Sequence, residues 1–176
     1  MKEIVFLIIG PARAGKTTFA NFLSEITGLK AAGTSQVVYE VIAAARNCTV
    51  EDLLQIPKEE LRPTLIKTAD YICDIHSDTL SLKLLNDGYR IIDGIRRSEE
   101  LRSIKSHPKY DVFVVYIDRD PQYTVSDNFN INKGWGNQII ENDGSIQDLE
   151  EKALAFFHDK FKLHFSRCSK RVRKTK

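Results

Sequence analysis

Cysteine is scarce in this 176-residue chain, with only Cys48, Cys73 and Cys168, odd in number and far apart. That excludes a disulfide framework and the paired spacing of a zinc site, and it points to a reducing, cytoplasmic compartment. The four histidines, His76, His107, His158 and His164, stand at no metal-ligand spacing with any cysteine. They read as surface or half-buried side chains. No apolar run approaches the roughly 18 residues of a membrane span, so no membrane partner is expected. The opening MKEIVFLIIG imitates a short signal peptide, but Glu3 sits in its charged end and a glycine-bearing loop occupies the place of a cleavage site. It reads instead as a buried strand. Internal repeats and low-complexity tracts are also missing. So is a GTPase-type Asn-Lys-x-Asp motif, because INKG at 131–134 lacks both the aspartate and a preceding apolar strand.

What is present suits one soluble domain with a full core: 42% of residues are hydrophobic, an ordinary fraction for a globular chain. The net charge of +2 is unevenly spread. RCSKRVRKTK at 167–176 carries six basic groups and no acid, which leaves residues 1–166 with a net charge of −4. The short continuous apolar runs EIVFLII, YRIIDG and YDVFVVYID, with QIIEND as a fourth, predict strands. Between them KTTFANFLSEITG, TSQVVYEVIAAARN and SEELRSIKS have helical spacing, with Gly28 as a stop and Thr34 or Ser35 as a cap. TVEDLL opens on a Thr49/Asp52 capping box. Residues 57–88 read as mostly helical, with Pro63 starting or kinking a segment, and SIQDLEEKALAFFHDKFKL is the closing helix. Strands alternating with helices predict an α/β fold with a parallel sheet covered on both faces.

GPARAGKT, residues 10–17, satisfies G-x-x-x-x-G-K-[ST] with an apolar strand before it and a helix after it. The glycines allow the backbone amides to wrap a phosphate, and the helix offers its positive N-terminus. Lys16 can reach the terminal phosphates of a nucleoside triphosphate, and the Thr17 hydroxyl can join a Mg²⁺ shell. Arg13 inside the loop is a further candidate for phosphate contact. A second signal is IIDGIRRSEEL. Asp93 ends an apolar strand, the position of a magnesium-organising or base carboxylate, and Arg96 and Arg97 follow on the loop into the next helix. Such arginines clamp an acceptor phosphate in bidentate fashion.

On these residues the chain resembles the nucleoside monophosphate kinase group of P-loop kinases. Within that group it looks most like phage-type deoxynucleoside monophosphate kinases and dephospho-coenzyme A kinase-like proteins. DGIRRSEEL is similar to the Asp-x-x-Arg of that subgroup and to the Asp-Gly-Phe-Pro-Arg of adenylate kinases. LRPTLIKTADYICD looks like the helix that carries an arginine over the acceptor site, and IIENDGSIQDLEEK resembles the strand-and-helix ending. The resemblance spans residues 2 to about 157.

It implies a three-layer P-loop NTPase fold with about five parallel strands and helices on both faces. The kinase domain would cover 1–166, with an acceptor-side helical region at about 34–88, a short lid at about 120–138 and a basic tail at 167–176. ATP is the implied donor, with Mg²⁺. Gly10, Ala12, Arg13, Ala14, Gly15, Lys16, Thr17 and Thr18 would hold its phosphates, and Asn142 and Asp143 would lie near its adenine. Thr17 would bind the metal, and Asp93 would either order its waters or take the acceptor proton. Arg62 with Arg96 or Arg97 would bind the acceptor. For Asp93 a strand-end cap is the plain alternative, and for Arg62 a solvated helical arginine.

The lid departs from the group, since no arginine occurs from Asp120 to Ser166. Lys133 at the tip and Arg119 at the base, with Arg13, are the cations left to face a transferring phosphoryl group. Trp135, the only tryptophan, is either a hinge anchor or a stacking platform for a base. Three functions follow. One is a kinase of free (deoxy)nucleoside monophosphates. Another is a P-loop kinase that phosphorylates a hydroxymethylated base within DNA, as in phage base-modification pathways, with the basic tail contacting DNA. The third is a non-catalytic, nucleotide-dependent binding protein. The expected location is cytoplasmic, the host cytoplasm if phage-encoded, and a second copy of the chain is a candidate partner.

Overall fold

Side chains on alternate residues of a covered strand point to opposite faces, and β1 (Glu3–Ile9) shows this directly. Val5, Leu7 and Ile9 enter one core cluster, whereas Phe6 and Ile8 enter another. The computed structural model describes residues 2–120, 122 and 131–161. In it β1 lies at the centre of a five-stranded sheet with β2 (Ala31–Gly33), β3 (Ile91–Asp93), β4 (Tyr110–Asp118) and β5 (Gln138–Glu141), in the order β2-β3-β1-β4-β5. Every pairing is parallel. The register sets Ile8 opposite Asp93, and Gly33 opposite the same Asp93, so the carboxyl ends of β1, β2 and β3 meet at one point.

Helices cover both faces. On one side α1 (Lys16–Thr27) and α7 (Ile146–Lys160) pack over Phe6, Ile8, Val115 and Ile117. An aromatic cluster closes that side, with Phe6 and Phe113 each edge-on to Phe161 at 4.8 and 5.0 Å between centroids. On the other side lie α2 (Thr34–Arg46), α3 (Val50–Leu54), α4 (Lys58–Ile75), α5 (Thr79–Asn86) and α6 (Ser98–Ser106). Gly28 ends α1 in the left-handed conformation, as its sequence position suggests. Capping boxes start α3 at Thr49/Asp52 and α7 at Ser145/Asp148. No helix among the described residues is long and apolar enough to cross a membrane.

Three local readings differ from expectation. The strand β2 is a three-residue edge element made of Ala-Ala-Gly; it has neither the length nor the β-branched residues that mark a strand in sequence. Residues 57–88 form two helices, separated at His76–Asp78. Within the first, Pro63 neither starts nor ends a segment. It is exposed, and the carbonyl it leaves without an amide belongs to the equally exposed Glu59. Finally, α2 begins at Thr34 with Gly33 in the cap position and no side-chain cap. The lid segment is described only at residues 120, 122 and 131–138, where Lys133–Trp135 form one 3-10 turn capped by the Asn132 side chain. The basic tail at 167–176 lies outside the described residues.

Candidate active site

The loop from Gly10 to Lys16 leaves β1 and enters α1, and its shape is set by two glycines that nothing else could replace. Gly10 has φ +141°, and a Cβ there would lie 2.3 Å from the Ile117 carbonyl oxygen of β4. Gly15 has φ +94°, and a Cβ there would lie 2.4 Å from Asn142 Nδ2. Both conformations are open to glycine and strained for any other residue. Arg13 takes φ +65° without being glycine, at a cost of roughly 1–2 kcal/mol. Ala12 and Ala14 turn inward and are buried, which seats the loop on the sheet.

Lys16 is the first residue of α1, and its Nζ reaches back across the loop to the Pro11 carbonyl at 2.6 Å. The Ala14 amide donates to the same carbonyl at 3.3 Å. Thr17 is exposed and Thr18 half-buried in the first turn of α1. Arg13 projects to solvent with Glu59 of α4 at 3.9 Å, while its carbonyl accepts from Arg119 Nη1 at 3.2 Å. Asn142, just past β5, donates through Nδ2 to the Ala14 carbonyl at 2.8 Å. Asp143 accepts from the Asp120 amide at 2.7 Å, which ties the ends of β4 and β5 together beside the loop.

Asp93 is the last residue of β3 and is 6% exposed. Its Oδ2 is shielded from solvent and has no hydrogen-bond partner among the described residues. Gly33 makes room for the carboxylate, since a Cβ there would lie 2.5 Å from Asp93 Oδ1. A buried carboxylate oxygen without a donor is costly, and a metal-bound water or an acceptor hydroxyl would satisfy it. The glycine-lined loop, the Lys16 ammonium, the exposed Thr17 hydroxyl and this orphaned oxygen are the chemistry that a Mg²⁺–nucleoside triphosphate requires. The residues therefore fit both groups.

The acceptor-side arginines separate. Arg97 donates to Asp74 Oδ1 and to Asp70 Oδ1, each at 2.7 Å, both on α4. Hydrogen bonds to Asp74 and Asp70 hold its guanidinium charged well above its ordinary range. Arg96 is exposed. Arg62 lies on α4 about two turns before Asp70, half-buried, and makes no hydrogen bond or ion pair among the described residues. The Asp70/Asp74 pair was not singled out from sequence, although carboxylates at i and i+4 on one helix face are a readable sign of a shared cation. Behind Arg97, Glu100 of α6 is 2% exposed and accepts from Ser81 Oγ at 2.5 Å. Burial pushes its carboxyl up to about 7 against that hydrogen bond.

At the lid, Lys133 pairs with Asp118 at the end of β4, a carboxylate that sequence reading passed over. Hydrogen bonding to Asp118 raises the Lys133 ammonium above its ordinary value. Trp135 packs partly buried against the core, with the Arg102 guanidinium 5.1 Å from its ring centroid.

A parallel sheet of order 2-3-1-4-5, a glycine loop between β1 and α1, and a carboxylate at the end of β3 define the fold of P-loop kinases. A solved structure shares it. A candidate kinase from Chloroflexus aurantiacus has a TM-score of 0.50 at 10% identity, covering 88% of this chain and 98% of that one. Shikimate kinase from Acinetobacter baumannii in complex with shikimate has a TM-score of 0.49 at 18% identity, covering 92% and 97%. A gluconokinase from Sinorhizobium meliloti 1021 has a TM-score of 0.49 at 7% identity, covering 93% and 96%. At 10% identity the first of these likenesses is one of fold alone. No protein-family model matches the sequence, and no curated protein matches it.

Proposed function

We propose that the chain is an ATP- and Mg²⁺-dependent phosphotransferase whose acceptor is a (deoxy)nucleoside monophosphate. The observation that carries this reading is the register of β1 against β3. It sets the unpartnered Asp93 carboxylate two residues from the start of the Gly10–Lys16 loop, so donor cradle and polar acceptor group share one edge of the sheet. The loop amides and Lys16 would bind the β and γ phosphates, with Lys16 exchanging the Pro11 carbonyl for a phosphate oxygen. Thr17, and Asp93 through water, would hold Mg²⁺, which supplies charge neutralisation between those phosphates when bound. The buried, unpartnered Asp93 Oδ2 would accept a proton from a water or from the acceptor oxygen. Arg96 and Arg62 would hold the acceptor phosphate, while Asp143 and the strand end around it would flank the adenine. Lys133 or Arg119 would face the transferring group in place of lid arginines. The motif resemblance to phage-type monophosphate kinases supports the choice of acceptor.

One observation favours a second reading. Arg97 is already paired on both sides by Asp70 and Asp74, so one arginine of the expected phosphate clamp is occupied. An acceptor that presents a neutral hydroxyl, such as a hydroxymethylated base in DNA, needs no such clamp. The basic segment at 167–176 would then add salt-sensitive contacts to the DNA backbone.

An acceptor panel with γ-labelled ATP separates the two. Label in one or more free monophosphates supports the first reading. Label only in base-hydroxymethylated duplex DNA, abolished by deleting 167–176 or by raised salt, replaces it with the second. Tight ATP binding with transfer to neither would leave a nucleotide-dependent binding protein.

A further inference from the structure

Asn142 is 7% exposed, and its position is fixed from two sides. Its backbone N–H donates to the Asp118 carbonyl at 2.7 Å, continuing the β4–β5 ladder by one residue. Its side-chain Nδ2 donates to the carbonyl of Ala14 at 2.8 Å, across 128 residues of chain. The fit is close, because Gly15 could not carry a Cβ without meeting that same nitrogen at 2.4 Å.

A trans peptide unit points its C=O and its N–H in opposite directions. Holding the Ala14 carbonyl toward β5 therefore turns the Gly15 N–H to the concave side of the loop. The preceding peptide unit behaves the same way. Arg119 Nη1 holds the Arg13 carbonyl from outside, and the Ala14 N–H on the opposite side points across the loop to Pro11. These tethers maintain a loop that includes a non-glycine residue at φ +65°, a conformation the loop would otherwise relax.

We propose that Asn142 is a positioning residue for donor binding. Through the Ala14 carbonyl it fixes the peptide plane whose N–H faces the donor phosphates. This rests on the reading of residues 10–17 as a nucleoside triphosphate site. The role belongs to the side-chain amide nitrogen. Asn142→Asp keeps the shape and replaces the donor with an oxygen, whereas Asn142→Ala removes the group without adding charge.

The test is calorimetric titration of the full chain, and of both variants, with a non-hydrolysable ATP analogue and Mg²⁺, alongside steady-state kinetics. Both variants are expected to bind the analogue at least ten-fold more weakly and to raise KM for ATP, while KM for the acceptor stays within two-fold. Unchanged binding in both overturns the role. Weakened binding in Asn142→Asp alone is charge repulsion and overturns it too. Failure of the unaltered chain to bind the analogue sinks the donor-site reading itself, a distinct result. If neither variant folds, the unaltered chain still decides the matter by NMR. The Gly15 amide resonance is expected to move strongly downfield on adding the analogue while the Asn142 side-chain amide stays protected from exchange. A Gly15 amide that does not respond overturns the role.

Discussion

The proposed donor loop and the proposed acceptor side are built in opposite ways. The loop is one contiguous stretch whose polar groups are backbone amides, held from behind by Asn142 and Arg119 and shaped by Gly10 and Gly15. The proposed acceptor side is assembled from α2, α4, β3 and α6, and its polar groups are side chains: Arg97 pairs with Asp70 and Asp74, and Glu100 lies buried and accepts from Ser81. Among the buried side-chain oxygens of the described residues, Asp93 Oδ2 alone is left without a donor, and it sits where the two regions meet. A backbone site binds any triphosphate of the right geometry, whereas a side-chain site built from paired charges selects. In the proposed function the generic, donor half is thus the rigid one and the selective, acceptor half the tunable one.

The comparison breaks first at Asp93. Asp93→Asn removes the proposed proton acceptor and is expected to slow transfer by roughly 10³-fold. Because the wild-type oxygen is buried and unpartnered, the variant should melt at the same temperature or higher. Loss of activity accompanied by unfolding would mean that the carboxylate serves the fold. Gly10→Ala attacks the rigid half, since its Cβ would collide with backbone at Ile117. A loss of about 2–3 kcal/mol in denaturant unfolding is expected, with ATP binding lost in the folded fraction.

Glu100 tests the tunable half through pH. Its carboxyl is raised from 4.5 to about 7 by burial, with the Asp78 charge adding to the rise and Arg97 opposing it. The folded chain therefore keeps a proton that the unfolded chain releases, so this group's contribution to stability falls as pH rises from about 4.5 through about 7. Glu100→Gln retains an acceptor for Ser81 and removes the charge. It should be more stable than the wild type by about 2 kcal/mol at pH 8 and nearly equal to it at pH 5. A variant less stable than the wild type at pH 8 would show that the ionised form is the native one.

The smallest effect is expected from Asp70→Asn/Asp74→Asn, which frees Arg97. A brace between α4 and the β3–α6 loop would lose about 1 kcal/mol, seen as a fall of roughly 2–4 °C in Tm, with little change in acceptor KM. A clear drop in KM for a monophosphate would instead make Arg97 a clamp held in reserve.

The same contrast explains what could be read in the chain. GPARAGKT is legible because its chemistry depends on local backbone conformation, so glycine spacing and flanking elements suffice. The strands at Glu3–Ile9, Ile91–Asp93 and Tyr110–Asp118 are legible because burial on both faces leaves unbroken apolar runs. β2 is not, because three small residues at a sheet edge are held by pairing with β3 and carry no pattern of their own. The engagement of Arg97 by Asp70 and Asp74 spans more than twenty residues. The Asn142–Ala14 hydrogen bond spans the whole domain. The i, i+4 carboxylates announce a shared cation but not which one, and the Asn142 contact leaves no trace at all, since tertiary partners are chosen by the fold and not by spacing. The likeness of DGIRR to an arginine clamp did not reveal that Arg97 is already paired with Asp70 and Asp74.

The most direct test of the central claim is transfer of label from γ-labelled ATP, by the wild type and by Asp93→Asn, to a panel of nucleoside monophosphates and base-hydroxymethylated DNA. The account predicts a labelled acceptor with the wild type and almost none with the variant, both binding ATP alike. Label appearing only as inorganic phosphate, or transferred equally by both proteins, would contradict it.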